Sequence, residues 1–114
     1  MTQYATVGPQ WKMTEVDVSD NTVTVYAGPA LIRAVRVTTA LSAHACPISD
    51  GASGTNVGTL AASAAINAEI LFHDMLLPNG IYVDPNDIAT GKFIVIWCAM
   101  DESTNSTQPG PFPR

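Results

Sequence analysis

The sequence predicts an all-β protein: a single antiparallel β-sandwich or jelly-roll-like barrel of about seven or eight strands. Two observations predict this fold. Short stretches of alternating apolar and polar residues recur along the chain, and clusters of Gly, Pro, Asn and Asp separate them at regular intervals. The length of 114 residues fits one domain. We expect an extended N-terminal arm over residues 1–11, the sandwich over 12–100 and a proline-rich extended tail over 101–114.

The first two strands are predicted on either side of a turn. Apolar and acidic residues alternate around Val16 and Val18, which is typical of a half-buried edge strand. Residues 19–21, Ser-Asp-Asn, form a turn cluster, and residues 22–26 then alternate with the period of two that strands show. We expect these two strands to pair with each other as a hairpin.

Residues 30–39 form a β-rich segment after the Gly28-Pro29 break. Its alternation does not decide which face of the strand points toward the core, because one of the two sets of alternate residues contains a cation. That set consists of Leu31, Arg33, Val35 and Val37.

A further strand is predicted over residues 43–48, where Pro47 indicates an edge or bulged position because it has no N–H to donate. Residues 49–54 are predicted as a loop. The glycine-rich stretch over residues 51–58 lacks the Lys-Ser/Thr of a phosphate-binding loop, so it indicates a flexible hairpin connection.

The stretch over residues 60–77 fits two structures. Its alanines and the spacing of Ile66 and Ile70 suit a helix. As a strand, Ile66, Ala68, Ile70 and Phe72 would share one face, and we favour this alternative.

The remaining elements are short and well marked. Asn79-Gly80 predicts a tight turn, residues 81–83 a strand and residues 84–87 another turn. Residues 92–99 form the strongest strand. Both of its parities are apolar, so we expect both of its faces to be covered.

The low share of charged residues argues that part of the protein's surface is buried against another protein. Only 13% of residues are charged, against about 25% in a typical soluble domain, and mean hydropathy is +0.17. Self-association is therefore expected. The net charge is −5, and the cations form no run, which disfavours nucleic-acid binding. These cations are Lys12, Arg33, Arg36, Lys92 and Arg114.

No stretch is long and apolar enough for a membrane helix, and the first residues do not have the pattern of a secretion signal. We therefore expect a protein that is made and stays in the cytoplasm, without membrane contact. The two cysteines, Cys46 and Cys98, lie in apolar stretches, which favours buried free thiols over a disulfide bond.

Metal and cofactor sites are not predicted. His44 and Cys46 share a strand face, and Cys98 and His73 are the remaining soft donors, but no spacing typical of zinc sites accompanies them. Asp84, with the residues after it, fits ordinary turn chemistry better than a calcium site.

The sequence gives no catalytic site, so we expect no enzyme. His73 and Asp74 are adjacent, but neighbours on a strand point to opposite faces, and no activated nucleophile accompanies them. Four aromatic residues suit a small core better than a sugar-binding platform. They are Trp11, Tyr26, Tyr82 and Trp97.

Four segments of the chain resemble small β-sandwich virion proteins of tailed bacteriophages, of the capsid decoration or cement type. They are Tyr26–Val37, the loop at Ser49-Asp50-Gly51, Leu77–Asp84 with its NGIYVD-like turn, and the ATGKFIVIW-like strand at Ala89–Trp97. The resemblance covers roughly residues 22–98 and is one of strands and turns, with no set of functional residues to carry over.

The resemblance implies a structural protein on the outer surface of a phage head, assembled in the host cytoplasm. Its expected partners are the major capsid protein and copies of itself, with a trimer implied by the family. The alternative is a tail, collar or fibre-associated protein with a receptor- or glycan-binding role. We expect the arm and the tail to bind partners across subunit boundaries. The candidate contact residues are Tyr4, Trp11, Pro109, Pro111, Phe112 and Pro113.

Overall fold

Two four-stranded antiparallel sheets enclose one apolar core in the computed structural model, which describes residues 10–100. The first sheet has the strand order β1-β8-β3-β6 and the second has the order β2-β7-β4-β5. The prediction of an all-β, sandwich-like fold is thus confirmed. The strands are β1 (Lys12–Asp17), β2 (Val23–Tyr26), β3 (Ala30–Thr39), β4 (Cys46–Asp50), β5 (Asn56–Leu60), β6 (Glu69–Leu77), β7 (Ile81–Val83) and β8 (Lys92–Ala99).

The predicted hairpin of β1 and β2 is wrong. β1 pairs with β8 in the first sheet, and β2 pairs with β7 in the second. A 3-10 turn over Val18–Asp20 separates them, with the Asp17 carboxylate accepting a hydrogen bond from the Ser19 amide. Val18 is buried, and Asn21 takes a left-handed φ of 64°. This connection leads the chain from one sheet to the other.

A bulge explains why the alternation in β3 is ambiguous. Ile32 pairs with Trp97 and Ala34 pairs with Ile96, so Arg33 is an extra residue on β3. Each bulge shifts the alternation by one position. The core side chains of β3 are therefore Ala30 and Ile32 before the bulge, and Val35 and Val37 after it.

β4 begins at Cys46 and extends to Asp50, so the predicted strand over 43–48 and loop over 49–54 were both placed too early. β4 is an inner strand, but β7 pairs only with its last three residues. The missing N–H of Pro47 therefore interrupts no bond to β7, and the Pro47 carbonyl accepts from the Asp84 amide at 3.3 Å.

The glycine-rich stretch is only partly a connection, because β5 begins within it at Asn56. Gly58 belongs to this strand, and a Cβ there would lie 2.9 Å from the Phe72 ring. The absence of a side chain at Gly58 thus allows β6 of the first sheet to pack against β5 of the second.

The strand favoured for residues 60–77 is present, but only over Glu69–Leu77, and Leu60 is the last residue of β5. The preceding residues form turns, in which the Ala64 and Ala68 amides donate to carbonyls three positions earlier. Ile66 was predicted to share the face of Phe72. That part of the prediction is wrong, because Ile66 is exposed and Phe72 is buried.

The turn at Asn79-Gly80 links β6 to β7 and so crosses between the sheets. Gly80 has φ +112°, and a Cβ there would collide with the Tyr26 carbonyl oxygen. Glycine is therefore required at this position on both grounds. The largest fully buried side chains come from both sheets; they include Ile32, Phe93 and Val95 of the first sheet and Ile48, Ile81 and Val83 of the second.

Candidate functional site

The face of the first sheet that points away from the second sheet, here called the outer face, carries an unusual amount of exposed apolar surface. Two rows of apolar side chains cross it from β1 to β6. One row consists of Met13, Ile96, Ala34 and Leu71, which are paired strand by strand. Met13 is 64% exposed and Leu71 is 56% exposed, although both are paired residues of strands.

The second row begins at Trp11, which comes one position before the pairing of Lys12 with Trp97. Cys98 and Leu31 follow as a pair, and Leu31 pairs in turn with Leu76. Leu76 is 52% exposed. We call these two rows together the apolar end of the outer face.

The other end of the outer face is charged. Glu15 pairs with Ile94, Ile94 with Arg36, and Arg36 with Glu69. In the next row Asp17 pairs with Lys92. Opposite charges on neighbouring strands are favourable, so this end is suited to contact with water.

An aromatic-cation-carboxylate cluster lies within the apolar end. The Arg33 guanidinium carbon lies 3.7 Å from the centre of the Trp11 ring. Its Nε and Nη2 donate to the two Asp74 oxygens at 2.8 and 3.2 Å. Bidentate geometry of this kind fixes orientation as well as adding attraction. The hydrogen bonds from Arg33 lower the pKa of Asp74, and the same contact raises the pKa of Arg33.

The backbone that presents Asp74 is strained. His73 and Asp74 have φ of 56° and 59°, a region that costs non-glycine residues free energy. Leu71 pairs with Ala34, and Met75 pairs with Ile32. The three residues of β6 between Leu71 and Met75 therefore lie opposite a single residue of β3, Arg33. Bulges on two adjacent strands therefore meet at this point. Such strain is kept where surrounding contacts hold it, and it often marks a functional surface.

The His73 and Asp74 pair offers little for acid–base chemistry. Asp74 is bound to Arg33, and both residues are exposed in the bulge. The cluster therefore orients Trp11 and engages the Asp74 carboxylate with Arg33.

Both cysteines are free and buried, as expected. Cys46 is in the core, where burial raises the pKa of its thiol to about 12. Cys98 is fully buried outside the core cluster, on the outer face. Within residues 10–100, no three side chains of His, Cys, Asp or Glu lie close enough to hold a metal ion.

The four aromatic residues do not gather into one platform. Trp97 is buried, its ring centre lies 5.0 Å from that of Tyr26, and its Nε1 donates to the Thr14 hydroxyl at 2.9 Å. Trp11 lies on the outer face of the same sheet, and Tyr82 is half-buried on β7. The core interpretation is thus confirmed for Trp97.

A hollow of about 350 Å³ opens at the β4–β5 connection. It is lined by residues 50–54 and Asn79. The Asp50 carboxylate accepts from the Asn79 backbone amide at 2.8 Å and from its side-chain amide at 3.4 Å. These polar groups therefore hold the loop against the β6–β7 turn.

Of the predicted contact residues, only Trp11 lies in the described part of the chain. Tyr4, Pro109, Pro111, Phe112 and Pro113 lie outside it. Met13, Leu71 and Leu76 were not predicted as surface residues. The signal for them was the apolar outward parity of β8, whose Ile94 and Ile96 are only half-buried. The expected cover over this face is thus incomplete in the described residues of one chain.

Comparison with protein-family models gave no match to this sequence, and comparison with curated proteins gave none either. Within residues 10–100, no helix has the length and apolarity needed to span a membrane.

Proposed function

We propose that this protein is a structural protein that works by binding other protein subunits, and that it decorates the outer surface of a bacteriophage capsid. The observation that carries the proposal is the apolar end of the outer face. Exposed Met13, Leu71 and Leu76 lie there at paired positions of strands, and their contact with water has a free-energy cost. A partner surface would remove that cost.

The resemblance to capsid decoration proteins supports the choice of partner. Three of its four segments coincide with β3, with the β6–β7 turn and β7, and with β8. The fourth, at Ser49-Asp50-Gly51, covers the end of β4 and the residue after it, not a loop alone. The low share of charged residues agrees with a protein that buries apolar surface on assembly. The candidate contacts with the major capsid protein remain the arm over residues 1–11 and the tail over 101–114.

The proposed mechanism is stabilisation by mass action. A protein that binds the assembled lattice and not its separate subunits shifts the equilibrium toward the lattice. Many copies, each contacting more than one capsid subunit, would add to this effect through high effective concentration. No chemical step is required.

The test uses phage particles that encode the protein, with and without its gene. We expect a high copy number by quantitative gel densitometry, density on the head surface in particle maps, and heads that burst at a lower temperature when the gene is deleted. A low copy number with density on the tail would contradict decoration and support the tail, collar or fibre alternative. A particle without the protein would overturn both.

A further inference from the structure

We propose that Asn79 is a site of spontaneous covalent modification, at which the side-chain amide of the folded protein is converted to a carboxylate with release of ammonia. The turn at Asn79-Gly80 connects the two sheets, so the modification changes a joint between them. The proposal is independent of the proposed function, because the reaction needs only water and this chain.

Asn79 is the one asparagine of the sequence that precedes a glycine. The modification begins when the backbone nitrogen of the following residue attacks the side-chain amide carbon, and a Cβ on the following residue crowds that attack. Every other asparagine precedes a residue that has a Cβ. These residues are Thr22, Val57, Ala68, Asp87 and Ser106. Gly80 has none, so the least hindered attack in the chain is at Asn79.

The contacts that hold the two reacting groups are long. The Gly80 amide donates to the Leu77 carbonyl at 3.4 Å. The Asn79 side-chain amide donates to the Asp50 carboxylate, also at 3.4 Å. Both distances exceed the usual range of about 2.7–3.2 Å for N–H···O hydrogen bonds, so each group is released at small cost. Asn79 is also exposed in its turn, so water reaches it.

The reaction consumes one water molecule and involves no oxidation or reduction. The Gly80 nitrogen loses its proton to solvent and forms a bond to Cγ of Asn79. The bond from Cγ to Nδ2 breaks, and this nitrogen takes up a proton and leaves as ammonia. The product is a five-membered cyclic imide. Water opens the ring at either carbonyl, which gives an aspartate or, where the main chain continues through the former side chain, an isoaspartate.

A carboxylate at position 79 conflicts with Asp50. The Asp50 carboxylate accepts from the backbone amide and the side-chain amide of Asn79, at 2.8 and 3.4 Å. The conversion replaces the second donor with a negatively charged acceptor, which puts two carboxylates next to each other. The contact between the β4–β5 connection and the β6–β7 turn is therefore weakened.

The isoaspartate form also disturbs the backbone, because it adds a methylene group to the main chain before Gly80. The Gly80 carbonyl accepts from the Gly51 amide at 3.0 Å. On its other side, a Cβ at Gly80 would collide with the Tyr26 carbonyl oxygen. The added length has no room between these contacts, so the crossing from the first sheet to the second loses its fit.

The first experiment follows the full chain, kept folded in neutral to mildly alkaline buffer for several weeks. Ion-exchange chromatography separates the species with one additional negative charge, and peptide mass spectrometry with an enzymatic isoaspartate assay locates the change. We expect Asn79 to react at least about tenfold faster than any other asparagine of the chain, which corresponds to a barrier about 1.4 kcal/mol lower.

Asn79→Gln is the matched control. It keeps the amide, but the attack would have to close a six-membered ring, so the acidic species should not accumulate above the level set by the other asparagines. An Asn79 that stays intact, a faster change at another asparagine, or equal accumulation in Asn79→Gln would each overturn the proposal.

The second experiment measures the consequence for the fold. Asn79→Asp places a carboxylate in the turn from the start. We expect it to lower the melting temperature by about 4–8 °C, the shift for loss of roughly one hydrogen bond from a domain of this size. In an Asp50→Ala background the same substitution should lower it by less than about half as much, because the opposing carboxylate is absent.

The modified wild-type species, purified by ion exchange, provides the same measurement without a substitution. It should melt below the unmodified protein. Equal melting temperatures, or an equal loss in both backgrounds, would contradict the expectation that Asp50 opposes the new carboxylate.

Discussion

At the scale of single residues, the two cysteines are both buried but lie in different places: one in the core between the sheets, the other on the outer face of the first sheet. Cys46 packs in the core among aliphatic side chains, and burial raises the pKa of its thiol from the ordinary 9.0 to about 12. Cys98 is buried on the outer face, next in register to Leu31. Their apolar neighbours in the sequence predicted burial for both, but sequence alone could not assign the faces.

Stability should fall with rising pH because of Cys46. The folded state keeps the thiol proton up to about pH 12, whereas the unfolded chain loses it above about pH 9. The stabilisation is thus complete below pH 9 and is lost progressively as the pH rises toward 12. From pH 8 to pH 10 the loss should be about 1.4 kcal/mol.

The measurement is urea unfolding of the wild type and of Cys46→Ala at both pH values. Other groups titrate in the same range, so the difference between the two proteins isolates Cys46. Wild-type protein should lose the additional stability, although Cys46→Ala is less stable throughout because of the cavity it leaves. If both proteins lose the same unfolding free energy between pH 8 and pH 10, burial does not raise the pKa of the Cys46 thiol.

At the scale of elements, the meeting of two bulges determines what the first sheet presents to solvent. Arg33 is the extra residue of β3, and His73 and Asp74 are the matching excursion of β6. Together they place an ion pair between two apolar rows. The left-handed φ values of His73 and Asp74 are the free-energy cost of this arrangement.

Glycine should relieve that cost at His73. We expect His73→Gly to be more stable than His73→Ala by about 1 kcal/mol, because a left-handed φ disfavours a Cβ. Thr24, an exposed residue in the extended strand β2, provides the control pair. There Thr24→Gly should be less stable than Thr24→Ala by about 0.5–1 kcal/mol. Thermal and urea unfolding of all four variants test the expectation, and the same order at both positions would refute it.

The sequence predicts the bounds of a strand well where these depend on a local pattern. It predicts strand partners poorly, because pairing depends on residues far apart in the chain. The bounds of β3, β7 and β8 follow from apolar alternation and from turn residues on either side. The partner of β1 does not, because the 3-10 turn at Val18–Asp20 looks like a hairpin turn in sequence and its role depends on a distant strand. The core-facing side of β3 could not be predicted for a related reason. A bulge changes which alternate residues face the core, and no residue pattern in the sequence indicates it.

The candidate site shows the same division. The apolar outward parity of β8 could be read from the sequence. The row that joins Met13 to Leu71 could not, because its members are 58 positions apart and meet only through β8 and β3.

At the scale of the whole molecule, the first and last strands of the described residues are neighbours in the first sheet. β1 at the start of the domain pairs with β8 at its end, with Lys12 opposite Trp97. The first sheet is therefore complete only when almost the whole domain is present. Such long-range pairing raises the entropy cost of folding and slows it.

This topology predicts a gradient of local stability. β3 and β8 have a paired strand on each side and share the core, so their amides should exchange with solvent only through global unfolding. β2 and β5 are short edge strands of the second sheet, each with one partner. Their amides should exchange through local opening, at a lower free energy.

Native-state hydrogen exchange by NMR in low urea measures both sets. Amides around Val35 and Val95, which pair at the centre of the first sheet, should share one exchange free energy equal to that of urea unfolding. Amides of β8 that exchange faster than those of β2 would contradict the predicted gradient, in which the inner strands of the first sheet open only with global unfolding.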